Sequence, residues 1–184
     1  MAQALLVMDL QNGIVERMSE QADVLIDTIE RVIDAARRHD VPVIFVRVAF
    51  RPGAPEVSRR NQSFATIKAS TPMVETEPAT QIHPRLQLRE GDVLVTKRRV
   101  SAFTGSDLDV VLRSLEVDHL VLTGIATSGV VLSTTRQAAD LDYQLTVISD
   151  ACADADPEVH RVLTEKVFPR QAAVVNADQW IGDL

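Results

Sequence analysis

The stretch His119–Ala151, HLVLTGIATSGVVLSTTRQAADLDYQLTVISDA, reads as strand, turn, helix and strand. An apolar run fills 119–126, helical periodicity runs over 128–141, and a second apolar run fills 143–151. Two such runs joined by a helix are the unit of a parallel sheet, because parallel neighbours need a long crossover between them. The junction, Gly124–Val131 (GIATSGVV), stands where backbone N–H groups point outward from a helix start. A turn of that kind often carries chemistry, yet no obvious nucleophile sits in it.

The same alternation extends outward in both directions. Further apolar runs occupy 4–10, 41–50, 92–97 and 172–177. Between them, Leu25, Ile29, Val32 and Ala36 share one face of a helix over 21–38, and 106–116 and 157–167 behave alike. Asp156 followed by Pro157 reads as an N-cap with proline at the first helical position. Six strands with right-handed crossovers predict a doubly wound α/β sandwich. The segment 51–91 departs from this pattern. It holds five of the chain's eight prolines and little periodicity. Loops that long are uncommon inside a compact domain unless they serve function, so it is expected to cover a pocket or build a subunit interface.

A chain of 184 residues is most simply one domain, 1–184, and long enough for a sizeable core. The net charge of −7 argues against nucleic acid or an anionic membrane as a partner. A small anionic ligand stays open, since local arginines decide that. Four arginines lie in Arg47–Arg60, and Lys97-Arg98-Arg99 follows, although solvated loops would show the same composition. Cys152, the one cysteine, cannot form an intrachain disulfide or a cysteine-only metal site. The run ALLVMDL stops at Asp9, too short and without a basic start for a signal peptide, so a cytoplasmic location is expected.

Ligands of open parallel sheets bind beyond the carboxyl ends of the strands. The first strand end offers Asp9 and Gln11, the third Lys97, and the fourth the 124–130 turn. Each has a plain structural alternative: Asp9 as a turn cap, Lys97 as a solvated charge, Thr127 or Ser128 as an N-cap, Cys152 as a small buried hydrophobe. There is no G-x-G-x-x-G after the first strand, no Walker loop and no G-x-S-x-G elbow. His39, His83, His119 and His160 form none of the zinc spacings. No cofactor and no metal is expected.

The runs LLVMDLQNG, VTKRRVSAF and GIATSGVVLSTTRQAADLDYQLTVISDA, in that order, resemble the isochorismatase-like hydrolase superfamily, which includes nicotinamidases, carbamoylsarcosine amidohydrolases and isochorismatases. The likeness runs from Leu5 to Val175 and weakens across 50–90. It implies a three-layer α/β/α sandwich of Rossmann type, with a six-stranded parallel sheet in the order 3-2-1-4-5-6. It also implies assembly into homo-oligomers, dimers or larger, and a small-molecule substrate. The family's amidases use an Asp, a Lys and a Cys. Asp9 and Lys97 match the first two, and the cysteine position is occupied by Val130. Cys152 lies after the fifth strand and is not that residue. The family's cis peptide falls at Ile125–Ala126. Its nicotinamidases carry a D-x-H metal motif after the second strand, where this chain reads VRVAFRPG.

A valine side chain cannot attack a carbonyl, so the covalent route closes. Isochorismatases also lack the cysteine and hydrolyse a vinyl ether by proton donation. On that pattern Asp9 is the acid/base, Lys97 orients substrate, and Gln11, Phe103, Ile125, Ala126, Thr127 and Val130 shape the binding site. Arg98 or the Arg47–Arg60 segment would hold substrate carboxylates. Two alternatives stand beside this: a catalytically inactive pseudoenzyme serving as a binding or assembly module, and a hydrolase with another nucleophile such as Ser133 or an unrecognised metal. The first reading carries two strains. A nearby lysine lowers a carboxyl pKa, whereas a general acid needs it raised. In addition, the third strand lies two steps from the first, roughly 9.6 Å at ~4.8 Å per step, so Lys97 must reach across.

Overall fold

The computed structural model describes residues 2–70 and 73–184. Strands β1 (Gln3–Met8), β2 (Val43–Val48), β3 (Val93–Lys97), β4 (His119–Ile125), β5 (Gln144–Ala153) and β6 (Ala173–Val175) form one sheet in the order β3-β2-β1-β4-β5-β6. All pairings are parallel.

Successive residues of β1 serve opposite layers, as the pleat requires. Leu5 and Val7 pack with Ile29 and Val32 of α2 (Ala22–Arg38) and with Trp180 of α7 (Ala177–Gly182); α1 (Asn12–Val15) lies just before α2. Leu6 and Met8 face the other way, in one cluster with Leu108 and Leu112, Val131 and Ala138, and Phe168. These come from the helices that follow β3 and β4 and from the stretch before β6. A strand buried on both faces is apolar throughout, which is why β1, β2 and β4 read as continuous runs.

Residues 51–91 are not structureless. They contain α3 (Gln62–Ser70) and a 3-10 turn at Pro78–Thr80, and they bridge back at Phe50–Val74 and Gln11–Ile82. The ring of Phe64 meets Phe50 edge-on at 5.6 Å, within a small cluster that includes Val48. Two apolar side chains three apart, Phe64 and Ile67, give α3 too narrow a stripe to be seen in the sequence. Tertiary packing makes the helix.

The remaining helices are α4 (Leu108–Ser114), α5 (Leu132–Asp140) and α6 (Pro157–Val162). Asp156 caps α6, its Oδ1 accepting from the N–H of Glu158 at 2.9 Å. The expected helix over 128–141 is present as one helical run, a wide π turn at Thr127–Val131 that continues directly into α5. Register aligns the strand ends. Met8 pairs with Val46 on one side and Gly124 on the other, and Val48 pairs with Lys97. Asp9, Lys97 and Ile125 therefore emerge along one edge of the sheet.

Candidate active site

Asp9 ends β1 with φ 59°, the left-handed region that aspartate tolerates better than most residues. Its N–H is still held by the Val46 carbonyl at 2.8 Å, so the backbone turns while tied to β2. Lys97 leaves the end of β3 and crosses the end of β2, placing Nζ 2.9 Å from Asp9 Oδ2. A second Nζ proton goes to the Arg99 carbonyl at 3.0 Å. This is how the two-strand gap is spanned: the long lysine stem does the reaching.

Both side chains are buried, Lys97 at 2% exposure and Asp9 at 8%. Asp9 Oδ1 has no hydrogen-bond partner among the described residues. Burial pushes the Asp9 carboxyl above its ordinary range; the charge and hydrogen bond of Lys97 pull it down but do not cancel the desolvation. The strain noted from the sequence is thus resolved in favour of burial.

The fourth-strand side is built by close packing. Gly124 has φ 138°, and a Cβ there would lie 2.1 Å from the Met8 carbonyl oxygen, so only glycine lets β4 approach β1. The Ile125–Ala126 peptide is cis. Asp154, past the end of β5, accepts from the Ser128 N–H at 2.7 Å, and the Ala126 carbonyl accepts from Gly129 at 3.0 Å. Two of the turn's amides are therefore committed to holding the turn itself. Thr127 Oγ1 pairs with His160 Nδ1 at 2.8 Å.

Asp9, Lys97, Ile125, Ala126 and Val130 line one cavity of about 260 Å³. Phe64, Ile67 and Met73, from the 51–91 segment, line it too, together with Gly13, Ile14 and Arg17. Other sequence-predicted residues lie outside its lining. Gln11 is fully buried and spent on backbone: its amide donates to the Val48 and Thr80 carbonyls and its oxygen accepts from Val48 N–H, each at 2.9 Å. Phe103 stacks 5.9 Å from Tyr143 within the layer of α4 and α5. Thr127 is buried behind the turn against His160.

Of the arginines expected to hold substrate, Arg47 and Arg98 are engaged elsewhere, and none of Arg47, Arg51, Arg59, Arg60 and Arg98 lines this cavity. Arg47 donates to Thr96 Oγ1 at 3.1 Å and Gln81 Oε1 at 2.9 Å. Arg98 pairs with Glu75 and the Ala49 carbonyl. Arg51, Arg98 and Arg99 do line an open groove of about 850 Å³ along the β3 edge, with Glu56 among them, but Asp9 and Lys97 are not part of it. Among the described residues, the arginine that lines the cavity is Arg17, exposed on the 3-10 segment Glu16–Gln21. Sequence reading missed it, as it missed Asp154 and His160. Cys152 is buried, its thiol pushed up to about 12 by desolvation, and is absent from the lining.

The doubly wound sheet thus carries a buried carboxylate–ammonium pair and a cavity at the carboxyl ends of its strands, where ligands of such sheets bind. The chain belongs to the isochorismatase family, whose isochorismatase domain matches residues 3–179. It is 35% identical to the isochorismatase family protein YwoC of Bacillus subtilis (strain 168), over 91% of this chain and 86% of that one. It is 31% identical to the ureidoacrylate amidohydrolase RutB of Stutzerimonas stutzeri (strain A1501), over 97% and 77%. Among solved structures, an isochorismatase family protein from Burkholderia thailandensis superposes with a TM-score of 0.83 at 32% identity, over 96% of this chain and 92% of that one.

Proposed function

We propose that this chain hydrolyses a small anionic metabolite without a covalent thiol intermediate, Asp9 acting as acid/base and Lys97 orienting the pair and the substrate. The observation that carries the reading is Asp9 Oδ1, a buried oxygen without a partner on a carboxyl that lines the cavity. In a folded protein such an atom costs roughly 1–3 kcal/mol, more when charged, and is usually retained for a use. With the carboxyl protonated, Asp9 can give its proton to the substrate while water adds at the electrophilic carbon. One bond of the substrate breaks, and the water's own proton restores the acid.

The pH sign follows from the acid form being the active one. Because burial raises the Asp9 carboxyl, the proton is held to higher pH than on an ordinary aspartate. Activity should therefore fall as pH rises through the folded-state pKa. A limb of the opposite sign would assign the base role instead. A panel of amides, esters and vinyl ethers, ureidoacrylate among them, tests turnover. Asp9→Asn should lose about 10²–10⁴-fold of it. Activity that survives that change rejects the proposal.

Val130 is the observation that favours the second reading, a binding or assembly module without turnover. No Asp9-dependent turnover across the panel would select it. Either reading has the chain as a cytoplasmic homo-oligomer. Light scattering that returns the mass of one chain would remove the assembly.

A further inference from the structure

Crowding accounts for the glycines around the cavity, with one exception. A Cβ on Gly124 would strike the Met8 carbonyl, and one on Gly13 would lie 2.9 Å from the Ala79 Cβ, so neither position has room for a side chain. Gly129 is different. Its φ lies outside the left-handed region, and beyond its own turn a Cβ there would meet, among the described residues, only the Ala126 Cβ, at an ordinary 3.7 Å. Its N–H donates to the Ala126 carbonyl, so a bare backbone is not needed to present that amide to a ligand. It sits inside a helical run, where glycine is the poorest residue short of proline. Alanine would serve the fold better, and the glycine needs another reason. Gly129 and Ala126 both line the cavity that holds Asp9. Much of the remaining wall is apolar: Phe64, Ile67 and Met73 from the 51–91 segment, Ile125 and Val130 from the β4 side. In the same wall Asp9 Oδ1 is buried without a partner among the described residues. The volume of about 260 Å³ is room for about nine water-sized groups, enough for an aromatic ring with a short polar head.

We infer that Gly129 sets the width of the ligand this cavity accepts: its missing side chain leaves a bare shelf beside Ala126 for a ring-sized apolar body whose polar head meets Asp9 Oδ1. An added methyl would stand where that body lies. The inference rests on the reading of this cavity as the substrate site, and it adds to that reading the shape of the substrate.

Val130→Cys places a thiol in the same wall, and two alkylating reagents read the space around it. These are iodoacetamide and its N-benzyl derivative, which share the reacting carbon and the leaving iodide and differ by an apolar ring. Both should label the native chain at that thiol. Adding Gly129→Ala should slow the benzyl reagent about tenfold, as overfilling by one methyl does, and iodoacetamide by less than about twofold. In the otherwise unchanged chain, Gly129→Ala should raise the melting temperature by about 1–4 °C, because alanine suits the turn better. Equal slowing of the two reagents would mean that the methyl acts on the thiol rather than on the space, and would overturn the inference. No slowing, a lowered melting temperature, or a thiol that the benzyl reagent never reaches would overturn it as well. Turnover is a separate measurement. Size discrimination at the thiol, in a chain with no Asp9-dependent turnover of amides, esters or vinyl ethers, would defeat the hydrolase reading alone. Asp9-dependent turnover of benzamide unaffected by Gly129→Ala would defeat this inference alone.

Discussion

Two polar knots sit within three residues of each other at the end of β1, and they are built to opposite ends. Gln11 is fully buried and every bond it makes is to backbone, tying β1's loop to the end of β2 and to the 3-10 turn at Thr80. Asp9 is buried too, but one carboxyl oxygen is paired with Lys97 and the other is left unpaired. The difference is what the proposed acid/base role of Asp9 rests on. A satisfied buried amide specifies the fold. A half-satisfied buried carboxyl is costly to keep, and in the proposed function its open oxygen is the one that meets substrate.

Removing each knot should therefore produce different signatures in denaturant unfolding, and the Asp9 knot should give the larger one. Lys97→Met leaves Asp9 buried with no partner. At neutral pH and above, the expected loss is about 3–5 kcal/mol, the cost of stranding one member of a buried pair. The sign of its pH dependence is fixed. A carboxyl whose folded pKa lies above its unfolded one favours the folded state below the unfolded pKa and loses that contribution as pH rises through the folded pKa. The Lys97→Met deficit should thus shrink on acidification, and Asp9→Asn in the same chain should relieve it. A loss that does not change with pH would mean that Asp9 is not the group being stranded.

Gln11→Ala tests the other knot. It orphans the buried N–H of Val48 and two carbonyls, and should cost about 2–3 kcal/mol. No titrating group takes part, so this loss should be flat between pH 5 and pH 9 on the order of 0.5 kcal/mol, the usual scatter of surface effects. A pH-dependent loss here would erase the contrast between the knots.

That contrast also marks what could be read before the structure. The strands were legible because residues such as Leu5, Leu6, Val7 and Met8 are buried on both faces and leave an unbroken apolar run. The α6 start was legible because an aspartate followed by proline is a local device. The sheet order and the pairing of Asp9 with Lys97 came from resemblance, not from periodicity. Gln11 was read as a binding residue because its partners lie 37 and 69 positions away, and nothing nearby in the chain announces them. Arg17 was illegible for a related reason. On a helical pattern it looks like one more solvated charge, and it meets the cavity only because α1 and the 3-10 segment fold Gly13, Ile14 and Arg17 over the sheet edge. In the same way Asp154 looks like one acid in an acidic loop, until β5 carries it beneath the Ser128 amide.

The smallest expected effect concerns sulfur. Cys152 lies on β5 beside Gly124, its Sγ 3.9 Å from the Leu122 carbonyl, and burial holds its thiol near 12. The thiolate, not the thiol, is alkylated, so native protein at pH 8 should take up no iodoacetamide adduct while unfolded protein takes up one. Val130→Cys puts a thiol of nearly the same size at a position that lines the same cavity as Asp9 and Lys97, in the first turn of a helix. Swapping one small apolar group for another there should change stability by less than about 1 kcal/mol. Labelling should nevertheless change from none to a single adduct in the native state, at the new thiol, as intact mass and a peptide map would show. If Val130→Cys stays unlabelled while Cys152 also stays silent, the turn is closed to small molecules and the cavity does not reach it. If Cys152 is labelled in the native chain, the fifth strand opens readily, and its thiol is not the inert core group that its burial implies.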